Sequence, residues 1–217
     1  MRALDRKLMR DLRRIWAQTL AIALVLACGI MMLVGMQTTQ RTLDISREAY
    51  YDRQRFADIF SSMTRAPRAV VAAAQAIDGV ALAEGRIEFQ AVLDIDGMNE
   101  PATGRIVSIP ANGFHLNVPL VQRGRLPDPL APDEVMLNEA FALENALYPG
   151  DRFRAILNGM QRELVVTGWV MSPEFVYTIG PGSMMPDNRR YGLIWMNEAA
   201  AEAALNMGGA VNEIALR

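Results

Sequence analysis

The stretch that most constrains this chain is an uncharged apolar run from Ile15 to Met36. Its 22 residues include no proline, and Gln18 and Thr19 are its only polar side chains. As an α-helix the run would rise about 33 Å, which matches a bilayer hydrocarbon core of about 30 Å. A buried core helix of this length would show a polar stripe at the helical period, and this run shows none. We therefore predict a transmembrane helix over residues 15–36.

Six basic and two acidic side chains precede the run, in a leader over residues 1–14, and the first basic residue after it is Arg41. Because excess Lys and Arg stays on the cytoplasmic side, we expect a cytoplasmic N-terminus and an extracytoplasmic chain beyond the run. Leu4, Leu8 and Leu12 recur at helical spacing, which leaves two interpretations of the leader open. It either lies along the inner leaflet with its arginines on lipid phosphates, or serves only to orient the span.

We expect the span to be kept as an anchor. A cleavable signal has a shorter apolar region than this run and is followed by a cleavage site of small residues, which is missing here. A lipoprotein signal is also disfavoured, because eight apolar or glycine residues follow Cys28 where a mature lipoprotein would turn polar. Ala23, Ala27 and Gly35 give a face small enough for close helix approach, and we predict that they pack against partner helices.

The composition of the remaining chain excludes several classes of function. Residues 37–217 carry 16 basic and 22 acidic side chains, so this part lacks the basic field of a nucleic-acid binder. The one cysteine lies inside the apolar run, which leaves no disulfide for the extracytoplasmic part. The one lysine, Lys7, lies in the leader, so no Walker A loop or Schiff-base lysine follows it. Any ATPase that acts with this protein must be another chain.

A stiff helix and then a mixed domain are predicted beyond the run. Neither glycine nor proline occurs between Gln37 and Ala66, so we predict a helical stalk over residues 37–56. We expect an α+β (mixed α/β) domain over residues 57–217, built as two lobes. Its strongest local signal is Asn158-Gly159, a pair typical of tight hairpin turns.

The other predicted elements alternate between strands and helices. We predict a helix from Pro67 to Ile77 and a later helix that Asn197 caps and Gly208-Gly209 follows. Two segments, 110–132 and 172–192, are rich in turn-forming residues and are expected as loops. The remaining predictions are a short helix over 139–147 and strands over 57–60, 80–94 with a break near Gly85, 104–109, 135–137, 152–157, 161–171, 193–196 and 211–217.

No catalytic, cofactor or metal site is predicted. His115 is the one histidine, and no glycine-flanked nucleophile accompanies it, so neither a zinc set nor a Ser-His-Asp triad can be assembled. Asp94 and Asp96 suggest a calcium loop only superficially, because no glutamate follows at the required distance. The Met184-Met185 pair is interpreted as loop or core rather than as copper(I) ligands. We therefore expect a binding or coupling module and no enzyme.

Four short motifs follow one another in the extracytoplasmic part. They are Arg123–Pro127 (RGRLP), Asp133–Ala142 (DEVMLNEAFA), Tyr148–Phe153 (YPGDRF) and Leu164–Val170 (LVVTGWV). With the basic leader, the span and a stalk that ends in YYDRQRFAD, this order resembles the N-terminal part of FtsX/MacB-like ABC transporter permeases, with a MacB-type periplasmic core domain.

The resemblance implies a permease subunit in a bacterial inner membrane, with its main domain in the periplasm or outside the cell. Besides membrane lipid, it implies two partners: a cytoplasmic ABC ATPase and a second permease subunit, in a homodimer or a heterodimer. ATP hydrolysis inside would move the domain outside, for export or extraction of a lipid, lipoprotein or peptide-like substrate. Since such permeases carry further spans after this domain, the resemblance also implies a truncated or split subunit, incomplete at its C-terminus.

Under this interpretation the span and stalk form a lever. Leu43 and Tyr50, seven residues apart on the stalk, are the predicted inter-helix contacts. The alternative comes from a different class of protein: a single-span sensor or anchored binding module that uses residues 110–132 or 172–192 as ligand loops.

Overall fold

The computed structural model of this protein describes residues 3–217, with side chains from Lys7 onward. Met1 and Arg2 of the predicted leader lie outside the described residues. The chain divides into two compact units, Met1–Tyr50 and Tyr51–Arg217.

The first unit is helical. Helix α1 (Ala3–Arg14) and helix α2 (Trp16–Arg53) are separated only by Ile15, where the chain bends. Helical hydrogen bonds continue across the bend, because Ile15 N donates to Asp11 O at 3.2 Å and Thr19 N donates to Ile15 O at 3.1 Å. Within the described part of the chain, α2 is the one helix long and apolar enough to cross a membrane. It contains nearly all of the predicted span and continues through most of the predicted stalk.

Helix α2 ends at Arg53 rather than at Phe56, the predicted end of the stalk. Arg55 adopts a positive φ of 49°, a conformation that an α-helix cannot contain. Phe56 N then donates to Tyr51 O at 2.9 Å and closes the turn.

The second unit begins with a three-stranded antiparallel sheet. Strand β10 (Ala210–Leu216) is its centre, between β1 (Ile59–Pro67) and β2 (Ala83–Arg86). The two outer strands are connected by helix α3 (Ala69–Gln75) and the residues between α3 and β2. Pro67 therefore ends a strand, and the prediction that it opens a helix was wrong. The edge position explains the difference, because β1 pairs only with β10 and proline is tolerated on edge strands.

The other strands of the second unit, apart from β5, form a closed ring. The ring runs β8-β6-β9-β4-β3-β7 and returns from β7 to β8, while β5 pairs with the remaining end of β8. Closure removes the free sheet edges that an open arrangement would expose. The bounds are β3 (Glu88–Asp94), β4 (Ala102–Ile109), β5 (Leu120–Gly124), β6 (Glu134–Asn138), α4 (Glu139–Glu144), β7 (Arg152–Leu157), β8 (Met160–Met171), β9 (Tyr191–Asn197) and α5 (Glu198–Leu205).

Apolar side chains cover both faces of β9. Ile194 and Met196 lie in the main core, whereas Leu193 and Trp195 lie in a second core on the opposite face. That second core is covered by partly buried aromatic side chains from the two predicted loops, among them Phe114 and Phe175. The long connections therefore complete the hydrophobic core as well as linking strands.

The α+β class is confirmed, and so is the hairpin at Asn158-Gly159, where both residues have positive φ, 49° and 80°. Two expectations in this part of the chain were wrong. The segment 110–132 contains strand β5, and Asn197 does not cap α5 with its side chain. Its amide instead donates to Asp128 O at 2.7 Å and to Ala131 O at 2.9 Å, which attaches the loop before β6 to the end of β9 and leaves the side chain unable to cap the helix.

Comparing two glycines of nearly equal φ distinguishes two costs of adding a side chain: backbone strain and steric overlap. Gly124 (φ 82°) lies against β8, where an added Cβ would fall 2.1 Å from Thr167 O, whereas Gly97 (φ 85°) has nothing within 4 Å. We expect Gly97→Ala to lower the free energy of unfolding by about 1–2 kcal/mol through strain alone. Gly124→Ala should cost about 1–3 kcal/mol more through overlap. Denaturant unfolding of the detergent-solubilised chain measures both, and equal losses would contradict the close approach of β5 to β8.

Candidate functional site

A buried arginine lies where the two sheets meet. Arg86 ends β2 and is 4% exposed. Its Nε donates to Glu213 Oε2 on β10 at 2.7 Å. Its two terminal nitrogens donate to both carboxylate oxygens of Glu174, at 2.6 and 2.5 Å. Glu174 follows β8, so one guanidinium connects the three-stranded sheet to a loop of the ring.

A second ion pair lies beside it, at the start of β3. Arg105 Nε is 2.8 Å from Glu88 Oε1, without the geometry of a hydrogen bond. The backbone of Glu88 is bound to β10, because Asn212 accepts from Glu88 N at 2.7 Å and donates to Glu88 O at 2.6 Å. We refer to Arg86, Glu88, Arg105, Glu174 and Glu213 together as the Arg86 cluster.

The charges in the Arg86 cluster perturb one another. Burial opposes the charge on Arg86, but its hydrogen bonds to Glu174 and Glu213 outweigh this, so the pKa of Arg86 is raised and the side chain stays charged. Burial, and then the charge of Glu213, raise the pKa of Glu88 to about 7, against the lowering by Arg105 and Arg86. Glu88 therefore titrates near neutral pH.

The cluster is an arginine-centred network rather than a cation site. Carboxylate oxygens of Glu88, Glu174 and Glu213 lie within 4.8 Å of one another, which is close enough to hold a metal ion. However, Arg86 already donates to two of these carboxylates and supplies the positive charge that an ion would bring.

The residues directly after helix α2 form backbone hydrogen bonds with the rest of the second unit. We call Gln54–Ala57 the anchor segment. Val118 N donates to Gln54 O at 2.9 Å and Asn117 N donates to Arg55 O at 3.0 Å. Ala57 N donates to the side chain of Asn117 at 2.9 Å. The anchor segment is thus bound by Asn117 and Val118, which lie in the long connection between β4 and β5.

The two predicted ligand loops are attached at their bases. Glu84 of β2 is buried and accepts from His115 N at 2.7 Å and Leu116 N at 3.1 Å, and burial raises its pKa despite these bonds. Glu174 attaches the other loop to Arg86. The tip of that second loop is exposed and carries an apolar patch. The large apolar side chains exposed there are Val176, Tyr177, Ile179, Met184 and Met185.

The residues predicted to contact partner helices lie on α2. Ala23, Ala27 and Gly35 are exposed there, and a Cβ at Gly35 would meet nothing within 4 Å. Leu43 is 64% exposed and Tyr50 is partly buried. These positions suit a contact with another helix, and the contacts stay a prediction.

No family model and no curated protein matches this sequence. Solved structures do match. The chain is similar to the extracellular domain of the noncanonic ABC-type transporter YknZ from Gram-positive bacteria, with a TM-score of 0.47 and 11% identity over 73% of this chain and 81% of that one. It is also similar to the periplasmic region of MacB from Actinobacillus actinomycetemcomitans, with a TM-score of 0.44 and 12% identity over 74% of this chain and 66% of that one. The matched part is an extracellular domain in YknZ and a periplasmic region in MacB. Neither match bears on substrate or partners.

Sequence reasoning missed the Arg86 cluster, although a signal for it was present. In β10, Glu213 lies on the same strand face as the buried Val211 and Ala215, so a carboxylate occupies an inward-facing position. In β2, both buried positions are charged, Glu84 and Arg86. Charged residues at the buried phase of two strands indicate a paired charge inside the domain.

Removing the charge of Arg86 should destabilise the domain strongly. We expect Arg86→Met to lower the free energy of unfolding by about 3–5 kcal/mol, because it leaves buried carboxylates without a partner. Arg152→Met is the matched control, since Arg152 pairs with Glu163 at 2.7 Å on the surface and should cost about 0–1 kcal/mol. Denaturant unfolding of both variants measures this. Similar small losses would mean that Arg86 does not hold the sheets together.

Glu88 should make stability depend on pH. Its pKa is about 7 in the folded chain against an ordinary value of 4.5, so the folded state binds more protons between these values. Stability contributed by protonated Glu88 is fully present below pH 4.5 and is lost as pH rises through 7. The wild type should lose up to about 1.4 kcal/mol per pH unit in this window relative to Glu88→Gln. Parallel pH profiles of the two proteins would contradict a raised pKa.

Proposed function

We propose that this chain is the N-terminal part of a permease subunit of an ABC transporter. Helix α2 anchors it in a bacterial inner membrane, with the basic leader on the cytoplasmic side and the second unit outside. A separate cytoplasmic ATPase hydrolyses ATP, and the resulting motion of the extracytoplasmic domain serves export or extraction of a lipid, lipoprotein or peptide-like substrate. The chain itself has no catalytic role in this proposal.

One observation carries the proposal: helix α2 continues without interruption from Trp16 to Arg53, and the anchor segment follows it at once. A helix without proline or an internal break resists bending, so it can transmit a displacement along its length. The bonds from Asn117 and Val118 to the anchor segment give that displacement a point of attachment. Coupling needs such a contiguous physical connection.

The Arg86 cluster supports the same proposal from inside the domain. A moving domain transmits force only if its parts stay together. Arg86 binds carboxylates from β10 and from the loop after β8, so the two sheets are held by directional, charge-assisted bonds.

The partner assignments concern α2, which has no buried residue within the chain. We propose that Ala23, Ala27 and Gly35 pack against other transmembrane helices, and that Leu43 and Tyr50 contact a second permease subunit. The ATPase lies on another chain, because the only lysine of this protein is Lys7 in the leader.

Disulfide cross-linking in native membranes tests the proposal. In a Cys28→Ser background, Leu43→Cys should form disulfide-linked pairs of subunits. The yield should change when ATP and vanadate trap the ATPase, because the subunits then move. Ile45→Cys is the matched control: Ile45 is 61% exposed against 64% for Leu43, and two residues place it on the opposite side of the helix.

The outcome separates the proposal from its alternative. Cross-linking that is insensitive to nucleotide would contradict coupling to an ATPase. It would favour a single-span sensor or binding module, which the exposed apolar loop tip supports, since patches of this kind mark interaction sites. Equal yields at Leu43 and Ile45 would contradict the predicted contact face.

A further inference from the structure

The described side chains of helix α1 separate into two faces. Lys7, Arg10, Arg13 and Arg14 occupy one arc of the helix. Leu8, Met9 and Leu12 occupy the other arc and are exposed. A basic amphipathic helix of this kind is typical of the interface between water and an anionic membrane.

The apolar face of α1 continues past Ile15 into a groove on α2. The groove has a volume of about 350 Å³ and lies within the first unit. Among the side chains that the structure describes, Arg13 is the only charged one that lines it. The other lining residues are Met9, Leu12, Trp16, Thr19, Leu20 and Ala23.

We propose that this groove is a binding site for one anionic phospholipid, with an acyl chain along Trp16, Leu20 and Ala23 and the phosphate on Arg13. The inference rests on the membrane span of the proposed function, but not on the transporter role.

Charge complementarity selects this occupant. A guanidinium at the end of an apolar groove matches a phosphate attached to an acyl chain, and arginine can bind phosphate oxygens through two hydrogen bonds. Trp16 lies between the two parts of the site, at the depth where tryptophan is enriched in membrane proteins. An apolar helix in the same groove would leave Arg13 without a partner.

Quenching of Trp16 fluorescence by brominated lipid tests the site in the full chain. Nanodiscs of phosphatidylcholine would contain the same small fraction of either brominated phosphatidylglycerol or brominated phosphatidylcholine. Trp169 and Trp195 are 4% and 2% exposed, and both lie in the second unit. Trp16→Phe therefore gives the background signal.

Brominated phosphatidylglycerol should quench Trp16 more strongly than brominated phosphatidylcholine. Arg13→Gln should lower the preference for the anionic lipid about fivefold, as expected for one basic residue near a charged surface. Arg14→Gln is the matched control, because Arg14 follows Arg13 in α1 but does not line the groove. It should leave most of the preference in place.

Each other result overturns the proposal in a recognisable way. Equal losses from Arg13→Gln and Arg14→Gln would mean diffuse attraction to the basic leader. Equal quenching by both lipids would contradict a site specific for anionic lipid, without contradicting the membrane span. Absence of quenching in a chain that resists carbonate extraction would mean that another helix covers the groove. Absence of quenching in a chain that carbonate extracts would also contradict the span.

Discussion

The bidentate pair of Arg86 with Glu174 joins the two sheets of the second unit where β2 leads into β3. Only Ile87 separates β2 from β3, so at this point the chain passes from one sheet to the other within one residue. Glu213 and Glu174 approach Arg86 from the two sides of this junction. Buried charges are costly when unpaired, so a partly opened junction would be less stable than either a closed or a fully separated one.

A junction of this kind has a consequence for force. Apolar surfaces slide with little change in buried area, because their attraction is not directional. The bonds of Arg86 to Glu174 are charge-assisted and bidentate, and they are lost when either partner moves. A displacement that enters through the anchor segment would then move both sheets together. This is the property that the proposed coupling needs.

Local patterns in the sequence predicted the elements that depend on residues close together in the chain. The Asn158-Gly159 hairpin and helix α5 follow from turn chemistry and helical composition. Closure of the ring could not be predicted, because β4 pairs with β9 almost ninety residues later and alternation does not identify the partner strand. Strand β5 was missed because its pairing with β8 overrides a turn-rich sequence. The charges of β2 and β10 indicated a buried pair, but the partners of Arg86 could not be named because Glu174 and Glu213 lie 88 and 127 residues from it in the chain.

The two faces of β9 explain why the predicted ligand loops serve a second purpose. A strand buried on both sides needs cover on its outer face, and Phe114 and Phe175 provide it from the bases of the two loops. The tip of the second loop is exposed, and Glu174 lies two residues before its first exposed side chain, Val176. A ligand at this tip would bind close in sequence to the carboxylate that pairs with Arg86. Coupling and ligand binding, the two candidate functions, would converge on one junction.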